Sequence, residues 1–100
     1  MLAIDSVLST GTLTSARSQA IVGPFEASVV GTFTADKIVL KRKYVGDDDS
    51  IAQVVQTWYD AFPVNGLANG GDKWEYWFEA TNLTAGTPKV RVALPDNRYR

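Results

Sequence analysis

Residues 35–45 read ADKIVLKRKYV. Ile38, Leu40, Arg42 and Tyr44 alternate with Val39, Lys41, Lys43 and Val45, which is the period-two pattern of a strand with one face in a core and one toward water. This stretch is expected to be the central strand of the domain. The residues before it read as strands arriving at that core, and those beyond Gly46 read as strands and one long loop returning to it.

Upstream, Phe25 to Phe33 (FEASVVGTF) places Phe25, Ala27, Val29, Gly31 and Phe33 on one face. Gly23-Pro24 punctuates its start, because proline lacks the ladder donor, and Gly31 marks a bulge or a close backbone approach. With Thr34 to Asp36 as a short link, this strand and the central one read as a hairpin. The first 22 residues mix Ser, Thr and β-branched residues, which predicts two short strands near 2–8 and 11–16.

Downstream, GDDDS (46–50) is a polar turn, and the extended pattern from Ile51 is expected to pair back with the central strand as far as Trp58 or Tyr59. Residues 63–72, PVNGLANGGD, are rich in Gly and Asn and predict a loop. Lys73 to Thr81 carries the clearest alternation, with Trp74, Tyr76, Phe78 and Ala80 opposite Glu75, Trp77, Glu79 and Thr81. After a turn at 82–88, Lys89 to Leu94 closes the set with Val90, Val92 and Leu94 inward. Six to eight short strands with turns every 8 to 12 residues indicate an all-β antiparallel β-sandwich, immunoglobulin-like or jelly-roll-like. A chain of 100 residues is one domain spanning 1–100, with 1–10 as an N-terminal arm.

Composition narrows the chemistry. The chain has no Cys and no His, so disulfides, Cys or His metal sites, thiol nucleophiles and imidazole acid–base catalysis are excluded. A net charge of -1 argues against nucleic acid and anionic membrane as partners. The N-terminus lacks a basic region ahead of an apolar core, so export by the general secretory route is not expected. Glu75 and Glu79 lie about 13 Å apart along one strand face at about 3.3 Å per residue, too far for a glycosidase pair. The run Asp47-Asp48-Asp49 lacks the spacing and distal Glu of a calcium loop and reads as a solvated turn. No enzymatic activity, cofactor or metal is expected.

Partner binding rests on other residues. Trp77, between two glutamates on the polar face, is expected to be an exposed anchor, and Trp58, Tyr59 and Leu67 join it as candidates from the apolar 51–67 stretch. Lys41 and Lys43 suit an acidic protein surface, or simply blunt a sheet edge. Trp58, Tyr59 or Trp77 stacked on sugar rings would instead make a carbohydrate-binding or receptor-binding module.

Gly23-Pro24-Phe25, Gly31-Thr32-Phe33, the Val39 to Lys43 strand, the Gly46 to Ser50 acidic turn, and Tyr76 with Gly86-Thr87 occur in an order that resembles small structural proteins of tailed bacteriophages and gene transfer agents. The resemblance covers roughly residues 20–94 and departs from the pattern at 51–72. It implies a non-enzymatic virion protein assembled in the bacterial host cytoplasm, foremost a capsid decoration (cement) protein, with tail, neck and head-fibre components as variants. The implied partners are the major capsid protein or other virion proteins, and the implied state is a homo-oligomer, a trimer first. On that view, removing residues 1–10 or 63–72 weakens particle association and leaves the core folded.

Overall fold

The computed structural model describes residues 2–21, 24–59, 62–68 and 74–94. Nine strands are present among them: β1 (Leu2–Val7), β2 (Pro24–Val30), β3 (Phe33–Thr34), β4 (Lys37–Tyr44), β5 (Gln53–Trp58), β6 (Phe62–Ala68), β7 (Trp74–Thr81), β8 (Ala85–Gly86) and β9 (Lys89–Ala93). They form a four-stranded sheet in the order β1-β9-β2-β6, a three-stranded sheet β5-β4-β7, and a small clip, β3-β8. The strand pairs among the described residues are all antiparallel.

The two larger sheets bury their inner faces against each other. Ile4, Phe25, Ala27, Val29, Val90 and Val92 from the first meet Ile38, Leu40, Trp58, Tyr76 and Phe78 from the second in one core cluster. The molecule is 18 Å along its shortest axis, as two layers about 10 Å apart with their outer side chains require. This is a sandwich-like all-β fold. Its last strand lies between β1 and β2 rather than beside β7, which separates the strand order from the immunoglobulin arrangement.

The expected central strand is central in its sheet, between β5 and β7, with Ile38 and Leu40 fully buried. β5 pairs back with it through Trp58, opposite Ile38. β7 and β9 keep to their alternations, and Val90 and Val92 are buried.

Four expectations are corrected. β2 and β4 are not a hairpin. Gly31, at φ 98°, ends β2, and the chain crosses to the other sheet through β3, so β2 pairs with β9 and β6. Residues 63–72 are not wholly a loop, because 62–68 form β6 along β2. Leu67 lies opposite Phe25 and Val64 opposite Ala27, so three steps of β6 match two of β2 and Asn65-Gly66 falls at the irregularity. Pro63 is tolerated there because β6 is an edge strand. Residues 69–72, like the basic tail at 95–100, lie outside the described residues.

The strand expected at 11–16 is replaced by an extended segment, 13–21, along the free edge of β7. Ser15, Ser18 and Ile21 donate their backbone N–H groups to the carbonyls of Phe78, Tyr76 and Trp74 at 2.8 to 2.9 Å. Three residues of the segment thus pass for every two of β7, and regular pairing is lost. The serine hydroxyls make up the difference: Phe78 N–H donates to Ser15 Oγ at 2.9 Å and Tyr76 N–H to Ser18 Oγ at 3.0 Å. Each hydroxyl donates onward, to the Ala16 and Gln19 carbonyls. Finally, residues 1–10 are not a detached arm, since β1 pairs along β9 and Ile4 and Leu8 are core residues.

Candidate partner-binding surface

The outer face of the β5-β4-β7 sheet carries three of the six residues expected to bind a partner, Lys41, Lys43 and Trp77. The register sets Lys41 beside Trp77 and Lys43 beside Glu75, all on the side away from the core. Arg17, held on the β7 edge between the two bonded serines, reaches over this face. Its guanidinium lies 4.1 Å from the Trp77 ring centroid, takes both Asp49 oxygens at 2.7 and 3.0 Å, and donates to Glu75 at 3.0 Å. Lys43 reaches Asp49 at 2.7 Å, Lys41 reaches Glu79 at 3.2 Å, and Trp77 Nε1 donates to Glu79 at 2.7 Å.

The face is therefore closed by its own charges. Trp77 is only 1% exposed, which corrects the expectation of an exposed anchor: position alone points it outward, but Arg17 covers it. Trp58 is corrected likewise, because it lies on the inner face and packs on Phe78 at 5.7 Å in the core. Lys41 and Lys43 are spent on intramolecular carboxylates. Tyr59, 68% exposed just beyond β5, keeps the exposure expected of it. The side chain of Leu67 lies outside what is described. Of these residues the structure sets Lys41, Lys43 and Trp77 on one face and leaves Trp58 and Tyr59 apart from them, so the aromatic platform expected for sugars reduces to Tyr59.

The three adjacent aspartates have separate roles. Asp49 holds Arg17 and Lys43, and these two cations pull its carboxyl down from 3.8 to about 2. Asp48 caps a short 3-10 turn, Asp49–Ile51, by accepting the Ser50 N–H, which lowers its carboxyl below the usual carboxylate range. Asp47 lines a cleft. Among the described residues no group of three carboxylates is placed to hold a metal ion.

Four of the exposed large apolar side chains among the described residues lie around the β4–β5 hairpin, with Val7, Leu13, Val30 and Tyr59 exposed elsewhere. Tyr44 (42% exposed) ends β4, Val45 (53%) and Ile51 (60%) lie in the connection, and Val54 (55%) is in β5 opposite Lys41, on the other face of the sheet from Tyr44. Beside Tyr44 and Ile51 opens a cleft of about 290 Å³ lined by Lys43, Tyr44, Asp47, Ile51, Gln53 and Trp74. Tyr44 stacks on Trp74 with centroids 4.2 Å apart and planes at 18°, and the Arg42 guanidinium lies 3.9 Å from the same indole. β5 is the terminal strand of its sheet, and 50–59 (SIAQVVQTWY) contain no charge, so this edge lacks the lysines and prolines that usually discourage strand contacts.

Sequence reasoning missed the exposure of Tyr44, Val45, Ile51 and Val54. The available signal was their position: Tyr44 and Val45 lie at the end of the central strand, Ile51 in the polar turn and Val54 near the start of the next strand. No protein-family model, curated protein or solved structure matches the chain.

Proposed function

We propose that this chain is a non-enzymatic virion structural protein, a capsid decoration protein that binds and stabilises a phage shell through the β4–β5 hairpin. A tail, neck or head-fibre position is the alternative setting. The observation that carries the docking reading is the exposure of Tyr44, Val45, Ile51 and Val54 around the β4–β5 hairpin, beside an uncharged sheet edge, on a domain whose outer sheet charges at Arg17, Lys41 and Lys43 are paired internally. Exposed apolar side chains at one hairpin favour contact with another protein.

The virion setting draws on the resemblance of residues 20–94 to phage structural proteins. Its motifs occupy successive elements here: the start of β2, the β2–β3 break, β4, the acidic turn, β7 and β8. A non-enzymatic role accords with the carboxylates, because Glu75 and Glu79 are each engaged by a cation of the same face. Shell binding by a homo-oligomer, a trimer first, completes the proposal.

Quantitative mass spectrometry of purified particles from the source of the chain tests it. Copies close in number to the major shell protein are the expected result, and a handful of copies would move the chain to the neck, fibre or tail. Absence from every particle overturns the virion reading.

A further inference from the structure

The chain closes its sheet edges unequally. Of the four edges of the two larger sheets, that of β7 is covered by the segment 13–21, through the backbone bonds of Ser15, Ser18 and Ile21. The β6 edge carries Pro63 and the irregularity at Asn65-Gly66. The β1 edge carries Asp5, drawn to Lys89 and Arg91 of β9 at 3.6 and 3.5 Å, and an irregularity between Leu2 and Ile4. Cover, proline and charge each keep an edge from pairing with another chain. β5 has no charge, proline or glycine, and among the described residues it pairs with β4 alone. Its one interruption is Val55, the extra residue between Val54, opposite Lys41, and Gln56, opposite Leu40. Val55 packs against the core, so this bulge bends the strand but adds neither charge nor cover to its rim.

We propose that the β5 edge receives an extended, uncharged segment of the partner protein, which joins the β5-β4-β7 sheet as a further strand. A strand edge binds through its main chain, so its complement is another extended main chain, and the side chains beside the pair set the preference. Here those neighbours are Val54 and Thr57 on the outer face, opposite Lys41 and Val39, and Gln56 on the inner face, opposite Leu40. They suit alternating valine and threonine. The β4 cations beside the edge are already engaged: Lys41 by Glu79, Lys43 by Asp49, and Arg42 by the Trp74 ring and Gln53. Lys37 lies one residue outside the stretch of β4 that pairs with β5. A charged side chain laid along β5 would therefore give up water for no counter-ion. A second copy of this chain is the poorer occupant. The uncharged run 50–59 is bounded by Asp49 and Asp60, and antiparallel self-pairing brings the start of the run in one copy to its end in the other, so like charges meet at both ends. The inference rests on the hairpin docking reading for its partner and names how β5 holds that partner.

The test titrates the full chain with the fluorescein-labelled peptide acetyl-Lys-Thr-Val-Thr-Val-Thr-Lys-amide, whose lysines keep it soluble. A second peptide is N-methylated at the five central residues, which keeps the side chains and removes the ladder donors. Anisotropy reads affinity and amide hydrogen exchange reads location. Saturable binding is expected, with exchange slowed within 53–58 and unchanged in β1 and β6, and N-methylation should weaken it about tenfold. Binding to purified shell particles should slow the same β5 amides.

Equal binding of the N-methylated peptide, no saturable binding, or slowing shared equally by β1 and β6 overturns the proposal. So does slowing within 53–58 that grows with the concentration of the chain alone, since a second copy would then be the occupant. The docking reading fails separately. If the chain pellets with shell particles while its β5 amides are unchanged, docking stands and the added strand does not. If the chain does not pellet but the peptide binds at β5, the edge stands and shell docking is wrong.

Discussion

Single residues decide which surfaces of this domain are open. Arg17 converts Trp77 from an outward tryptophan into a buried one, and Asp49 anchors Arg17 in turn. Arg17 first, then Lys43, holds the Asp49 carboxyl at about 2 in the folded chain against 3.8 ordinarily. A depressed carboxyl contributes stability that is fully present above about 3.8 and is lost as pH falls toward 2. Asp49→Asn is accordingly expected to flatten the acid limb of stability between those values, measured as denaturation midpoints in pH steps. An unchanged limb would show that other carboxylates govern it. Tyr76 offers the opposite case. Its ring is wholly buried and packs edge-on against Phe25 at 4.7 Å, but its hydroxyl has no hydrogen-bond partner among the described residues. Since an unsatisfied buried hydroxyl costs about 1–3 kcal/mol, Tyr76→Phe should leave stability unchanged or raise it by about 1 kcal/mol. Calorimetry checks this, and a clear loss would mean the hydroxyl is bonded after all.

At the scale of elements, the segment 13–21 closes the β7 edge without being a strand. The hydroxyls of Ser15 and Ser18 stand in for missing carbonyls, so each serine both donates and accepts across the same gap. Replacing both with alanine leaves the buried N–H groups of Tyr76 and Phe78 unpaired, at about 1–3 kcal/mol for each. Hydrogen exchange at those two amides should accelerate while the amides of β9 stay protected below global unfolding. Equal acceleration in both would show that the edge does not open on its own. This element also marks how far the fold is legible in the sequence. Alternation identifies β4, β7 and β9 and their buried faces, because each side chain's direction is set by the pleat. It does not assign neighbours, so the sequence suggests a β2–β4 hairpin where Gly31 in fact sends the chain to the other sheet. Asn65-Gly66 reads as a loop because turn residues and a strand irregularity share one chemistry.

Across the whole molecule, the partner residues are hard to read from sequence because cover comes from far along the chain. Nothing near Trp77 in sequence announces Arg17, and nothing near Trp58 says that it faces inward. The exposed hairpin is a product of the architecture, as the place where the central strand outruns the core. The same architecture makes residues 1–10 part of the fold, since β1 completes the outer side of β9 and Ile4 and Leu8 enter the core. Deleting residues 1–10 is therefore expected to abolish cooperative thermal unfolding, seen by circular dichroism, rather than to release a folded domain that no longer binds. A sharp transition in the truncated chain would restore the arm.

The central claim, a shell-docking surface at the β4–β5 hairpin, is most directly tested by co-sedimentation with purified shell particles. Wild type and the double variant Ile51→Ser, Val54→Ser would be compared, since both positions are more than half exposed and their substitution should leave the thermal midpoint nearly unchanged. The account predicts that the wild-type chain pellets with the particles and that the variant, folded, stays in the supernatant. Equal pelleting of both would contradict it.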